Sequence, residues 1–149
     1  MNCKERDKEN EPLGFKFKII NDKFAQNFNN ELKIHDITFS QMGILWYLEH
    51  NQDHKITQKE LSEAMHIKHP TTIGLLKRLE EKSMIEIKVD AENRKYKNIA
   101  MTDKAKDFLN KHRQHRKELD NVLIKGMSED EVRELRMLLD KVYDNMKDF

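Results

Sequence analysis

Cysteine, proline and glycine are all scarce in this 149-residue chain, which has one, two and four of them respectively. A single cysteine, Cys3, excludes an intramolecular disulfide framework and fits a reducing cytoplasm. Few helix breakers among abundant Lys, Glu, Leu and Asn imply a mainly helical chain. No stretch approaches the roughly 20 apolar residues that cross a bilayer, so no membrane partner is expected. The N-terminal MNCKERDKENEP has no apolar core and is no signal peptide, which again points to the cytoplasm. Also missing are a nucleophile–base constellation, a phosphate-cradling glycine loop and a strong metal motif. The chain therefore reads as no enzyme, with no cofactor and no resident metal.

What is present is charge, unevenly spread. Residues 1–54 hold 7 Lys and Arg against 9 Asp and Glu, residues 55–101 hold 10 against 7, and residues 102–149 hold 11 against 11. The middle third is the basic one, and an anionic partner would bind there.

Residues 1–11 are polar and read as a flexible tail. Leu13, Phe17, Ile20, Phe24, Phe28 and Leu32 follow at three- and four-residue steps, marking one face of a long helix. Ser40 looks like the N-cap of a second helix bearing Met42, Leu45, Trp46 and Leu48, which the polar Asn51–His54 ends. Thr57 with Glu60 is a capping-box pair for a short third helix with Leu61, Ala64 and Met65 as its apolar face. Helix four lies within residues 68–82. MIEIKVD and YKNIAM alternate in polarity and make a hairpin over residues 84–101 around the turn DAENRK. Thr102 caps a fifth helix with the stripe Ala105, Phe108, Leu109, His112, Arg116, Leu119, Leu123, ended by Gly126. Ser128 and Glu131 cap a sixth, which buries Val132, Leu135, Leu139, Val142 and Met146. The first, fifth and sixth helices carry apolar stripes that one small chain cannot cover, and pairing with a second copy is the natural solution.

KHPTTIGLLKRLEEK (residues 68–82) carries the functional signal. On a helical wheel Thr72, Leu75, Leu76 and Leu79 gather on the core side. Pro70 suits a first turn, where its missing N–H would be unpaired anyway. Gly74 faces outward and costs about 1 kcal/mol relative to alanine in a helix interior. That cost has a reason if the outer face approaches a partner closely. A small, acid-free N-terminal face suits the second helix of a helix-turn-helix, whose N-terminal end meets base edges in the major groove. Ile73 can touch a thymine methyl, while His69, Thr71 and Lys77 can bond phosphates or bases. The hairpin that follows has Arg94, Lys95 and Lys97 at or near its tip, and an arginine there can enter the narrow minor groove. Helix plus wing describes a winged helix-turn-helix.

TQKELSEAMHI (57–67), PTTIGLLKRLEEKSMIEIKVDAENRK (70–95) and IAMTDKAKDFL (99–109) resemble the MarR family of bacterial transcriptional regulators, and the likeness runs from about residue 12 to the end. The resemblance implies a mainly α fold with a small β-hairpin wing. It divides the chain into a tail (1–11), an N-terminal dimerisation helix (12–36), a winged helix-turn-helix domain (37–101) and C-terminal dimerisation helices (102–149). It implies a homodimer that binds a pseudo-palindromic double-stranded operator, most often as a repressor released by a small ligand. The DNA-facing set becomes Thr57, Gln58, Lys68, His69, Pro70, Thr71, Ile73, Gly74 and Lys77, with Arg94 and Lys95 on the wing that Asp90 shapes. Ser83 stands where the family usually has glycine, Asn93 where aspartate is common and Glu92 where arginine is frequent. Ile73 and Gly74 replace commonly polar residues.

The switch is less legible. A crevice lined by Phe24, Phe28, Met42, Trp46 and His112 would suit an aromatic or anionic ligand. The plainer reading of His112 and Arg116, and the favoured one, is that they pair with acids across a dimer. Alternative readings on the same scaffold are a metal-responsive regulator using His112 and His115, or His66 and His69; a redox-responsive one using Cys3; and an interaction module that binds no DNA. Cys3 lies in a charged tail without the organised low-pKa setting of a reactive thiol. Met42 and Gly43 stand where zinc partners for helix five are expected.

Overall fold

The computed structural model describes residues 8–149. Cys3 and most of the expected tail lie outside the described residues. Two compact units are distinguished, one reaching to Leu109 and one from Asn110 to Phe149.

In the first unit, α1 (Leu13–Glu31) leads through a 3-10 turn (Lys33–His35) into α2 (Phe39–His50). Of the α1 stripe only Phe28 and, just past the helix, Leu32 are buried, while Leu13, Phe17 and Ile20 are exposed. Phe24 and Phe28 pack edge-on against Phe39, with ring centroids 5.4 and 5.3 Å away. The cap of α2 is Thr38, not Ser40. The Thr38 hydroxyl accepts Gln41 N–H at 3.3 Å, and Gln41 Oε1 accepts Thr38 N–H at 3.2 Å. This reciprocal pair begins the helix two residues earlier than Ser40 could.

A short strand β1 (Ile56–Thr57), which periodicity missed, precedes α3 (Gln58–Ala64) and α4 (His69–Glu81); then come β2 (Ile85–Val89), β3 (Lys97–Met101) and α5 (Asp103–Lys111). The sheet is antiparallel, in the order β1-β3-β2. Ile56 and Ile87 both pair with Ile99, which places Ile99 at the centre of the sheet's buried face. That face closes over Ile44, Leu45 and Leu48 of α2, Leu61 of α3, Leu76 and Leu79 of α4, and Leu109. Ala64 does not share in this core; it is exposed, and α3 relies on Leu61. Thr102 caps α5 by accepting Ala105 N–H at 3.2 Å.

The expected single fifth helix is interrupted at His112, so α5 is followed by α6 (Arg113–Leu123). Gly126, at φ +83°, turns the chain after α6, and Ser128 with Glu131 forms the expected capping box of α7 (Glu129–Lys147). The expectation that α7 buries its stripe fails for the single chain. Val132 and Leu135 are half-buried, and Leu139, Val142 and Met146 are exposed. One helical hairpin has no second layer to receive that face.

Candidate nucleic-acid interface

α3 and α4 meet through a tight turn. Met65, His66 and Ile67 form a Schellman motif: Ile67 N–H reaches Ser62 O and His66 N–H reaches Glu63 O, both at 3.2 Å, with His66 left-handed at φ 51°. The Ser62 hydroxyl then donates to Thr72 Oγ1 at 2.9 Å, and Thr72 is fully buried. This bond, invisible in the hydropathy pattern, fixes α4 against α3.

With Thr72, Leu76 and Leu79 turned inward, the opposite face of α4 is set. Lys68, His69, Pro70, Thr71, Gly74 and Lys77 are exposed there, and so is Ile73, at 43%. Pro70 sits in the first turn, where its lack of N–H costs nothing. A Cβ built on Gly74 meets nothing within 4 Å. No packing among the described residues requires that glycine. The first turn of α4 carries no acid. Thr57 and Gln58 are half-buried at the start of α3, where the Thr57 hydroxyl accepts Glu60 N–H at 3.2 Å. The other half of the expected capping box is absent, because the Glu60 carboxylate is engaged elsewhere: Oε1 accepts the Tyr47 hydroxyl at 2.9 Å and faces His54 Nε2 at 2.7 Å.

His54 Nδ1 lies 2.8 Å from Asp53 Oδ1. An imidazolium donating from both nitrogens satisfies both acids. The Glu60 bond first, then the Asp53 bond, raise the pKa of His54 above that of a free histidine. Burial, followed by the Glu60 bond, raises that of Tyr47.

The wing is organised by Asp90. Its Oδ1 accepts Glu92 N–H at 2.8 Å and Asn93 N–H at 2.9 Å, while Oδ2 accepts Asn98 Nδ2 at 2.6 Å and pairs with Lys55 Nζ at 3.5 Å. These bonds, that of Asn98 foremost, hold the carboxyl well below the usual carboxylate range. The loop closes through Asp90 N–H to Tyr96 O at 2.9 Å and Tyr96 N–H to Asn93 O at 3.0 Å. Arg94 and Lys95 project from this pinned turn, both exposed. An Asp-x-x-Asn turn signal was available in the sequence for Asp90, but its partners Lys55 and Asn98 were not.

At its far end α4 is tied down by Lys82. The ammonium reaches Asp36 O, lies 3.4 Å from Asp36 Oδ2, and donates to the buried Gln41 Oε1 at 3.1 Å. α4 is thereby bolted to the start of α2.

Of the residues of the expected ligand crevice, Phe24, Phe28, Met42 and Trp46 belong to the first unit and His112 to the second. Phe24, Phe28 and Met42 pack in the first unit. Trp46 is exposed and stacks on His50 with centroids 4.4 Å apart, and His112 marks the break before α6. A cavity of about 420 Å³ opens instead at the end of α2, bounded by Leu48, Asn51, Ile56, Ile99 and Lys106, and none of the five lines it. His66 and His69 are exposed, and His115 Nδ1 faces Glu118 at 4.0 Å. Among the described residues no group of three or more His, Cys, Asp or Glu is placed to hold a metal, and no helix is long and apolar enough to cross a membrane.

Residues 35–95, which hold α2, α3, α4 and the wing's turn, match the model of the MarR family. The chain superposes on Staphylococcus aureus MepR from a MepR–DNA complex with a TM-score of 0.85, at 27% identity over 92% of this chain and 99% of that one. Over these residues the chain is similar to the MarR family, and its fold is the fold of that family's solved members. The transcriptional regulator SlyA is similar as well, with a TM-score of 0.82 and 25% identity over 91% of this chain and 94% of that one. MarR itself shares the fold, at a TM-score of 0.82 and 23% identity over 94% of each chain. Among the described residues, seven α-helices and a three-stranded sheet carry that fold, a winged helix-turn-helix with long flanking helices.

Proposed function

We propose that this protein is a homodimeric, sequence-specific DNA-binding transcriptional regulator of the cytoplasm, a repressor released by a small-molecule ligand, and no enzyme. The observation that carries the DNA-binding part is the outer face of α4. It is free of acid in its first turn, it is flanked by Lys68 and Lys77, and Gly74 has open space where a side chain would stand. The wing supports it, since four contacts to Asp90 hold Arg94 on a rigid turn. Major-groove docking of the helix and minor-groove entry of the arginine follow from these positions. The twofold arrangement is supported by the uncovered apolar faces of α1 and α7, and by the likeness to MepR as it stands in its DNA complex. Repression and ligand release rest on the likeness to the MarR family.

Fluorescence anisotropy tests the reading. The purified chain is titrated with duplex from its own upstream region and with scrambled duplex over a salt series. Two chains per site, preference for the native duplex and a steep salt slope are expected. Arg94→Ala is expected to weaken binding without changing the oligomer. Failure to bind either duplex at low salt would leave the fold serving as a protein-interaction module.

A further inference from the structure

The wing carries one group that neither the cation set nor the fold explains. Three tyrosines are present, and two are engaged. Tyr47 bonds Glu60, and the Tyr143 ring lies under Lys147 Nζ at 5.0 Å. Tyr96 is 47% exposed, and among the described residues its ring and hydroxyl meet no partner. Its backbone, by contrast, is fixed at both ends by the bonds to Asn93 and Asp90 that close the loop. Arg94, Lys95 and Lys97 surround it in sequence. The only other large apolar side chain exposed on the hairpin is Val89, at 58%, opposite Lys97 in the ladder. A large apolar ring held rigidly in a cationic tip has no use within the chain.

Resting on the DNA-binding reading, we propose that Tyr96 is a specificity-determining residue that reads the minor groove beside Arg94 and selects A·T over G·C pairs there. Deoxyribose walls offer an apolar surface for the ring. The floor of an A·T pair offers only acceptors, adenine N3 and thymine O2, which a phenol O–H can bond. A G·C pair places the guanine 2-amino group in that space. That group fills the space the ring would take, and the hydroxyl can meet it only by accepting, so the discrimination rests chiefly on the ring's fit to the groove floor. A·T-rich steps also narrow the groove and deepen its negative potential, which favours the cations on either side of Tyr96.

The experiment uses the full chain and three variants, Tyr96→Phe, Tyr96→Ala and Arg94→Ala. Duplexes are selected by the wild type from a random pool, and the sugars the wing protects are located by hydroxyl-radical footprinting. At those steps the selected pairs are replaced by A·T, G·C or inosine·C, the last having the minor groove of A·T and the major groove of G·C. The wild type is expected to bind A·T and inosine·C alike and G·C about tenfold more weakly. Tyr96→Ala should lose most of that difference, and Tyr96→Phe should fall between. Thermal melts check that all variants fold, which is expected because the loop is closed by backbone bonds. Discrimination unchanged in Tyr96→Ala would overturn the proposal while leaving DNA binding intact. Equal rejection of inosine·C and G·C would also overturn it, because the reading would then be in the major groove. A wild type that selects no duplex would overturn the DNA-binding reading, and this proposal with it.

Discussion

Asn98 Nδ2 donates to Asp90 Oδ2 at 2.6 Å, joining the middle of β3 to the residue where β2 ends and the wing turn begins. The other oxygen of the same carboxylate caps the turn, so one side chain links the sheet to the tip that bears Arg94. Asp90→Ala is expected to free the turn and weaken DNA binding without altering the oligomer. The pH dependence has a definite sign. Asp90 titrates below its unfolded value, so its contribution is complete above the ordinary carboxylate range. It is lost as pH falls below about 4 and on toward the folded pKa. Amide chemical shifts of Glu92 and Asn93 followed from pH 6 downward would check this, with the variant showing no such transition.

His54 has the opposite sign. Its pKa is raised by Glu60 and Asp53. The stability it contributes is therefore complete below the free-histidine value of about 6.5 and is lost as pH rises through the higher folded value. A neutral imidazole has one N–H and leaves one of the two acids unanswered. Thermal stability of the wild type is expected to decline as pH rises above about 7. His54→Gln should flatten that decline. Histidine ring shifts recorded over the same range would show whether His54 is the group responsible.

Ser83 is left-handed at φ 57°, in the Schellman motif that ends α4, with Met84 N–H on Leu79 O and Ser83 N–H on Glu80 O, both at 2.9 Å. Glycine meets no Cβ penalty in that conformation, whereas an L-residue costs roughly 1–2 kcal/mol. The greater freedom of glycine in the unfolded chain offsets part of the gain. Ser83→Gly is expected to stabilise by about 0.5–1 kcal/mol, or roughly 1–4 °C in Tm for a chain of this length. A melting curve that fails to rise would mean that the serine side chain has a role here.

Local signals were the legible ones. Thr102, Ser128 and Thr57 each offered a side-chain oxygen just before an apolar run, and each caps a helix. The wheel for residues 68–82 placed Thr72, Leu76 and Leu79 inward because a helix has one period and one core side. The misses have physical causes. β1 is two residues long, too short for alternation to register, and it exists because β3 lies beside it. Glu60 had the right spacing for a capping box, but Tyr47 and His54, 13 and 6 positions earlier, claim its carboxylate. The break at His112 has neither proline nor glycine to announce it. Gln41 carries no apolar signal, yet it is buried, and Lys82, 41 positions away, supplies a donor to its carbonyl.

Gly74 separates folding from function. Gly74→Ala puts a methyl into empty space on α4 and is expected to stabilise the free protein by about 1 kcal/mol. If the backbone there lies close to DNA, the same change weakens binding, so the two properties move in opposite directions. Gly74→Glu adds a carboxylate facing the phosphates and is expected to abolish binding. Melting curves and anisotropy on both variants provide the check. Unchanged affinity for Gly74→Glu would mean that another face of α4 meets the partner.

The second unit supplies the last prediction. α7 presents Met137, Leu138, Leu139, Val142, Tyr143 and Met146 to solvent, although its helix is capped at the start and regular to Lys147. An exposed apolar face this long marks an interaction surface, and the proposed homodimer assigns a second copy to it. Leu139→Glu places a charge in that face while leaving the helix's hydrogen bonds intact. Sedimentation at micromolar concentration is expected to give a dimer for the wild type and a shift toward monomer for the variant. DNA affinity should fall steeply alongside, because a monomer holds one half-site where the dimer holds two. A variant that remains dimeric would place the interface on other surfaces, with the exposed α1 residues Leu13, Phe17 and Ile20 as the next to substitute.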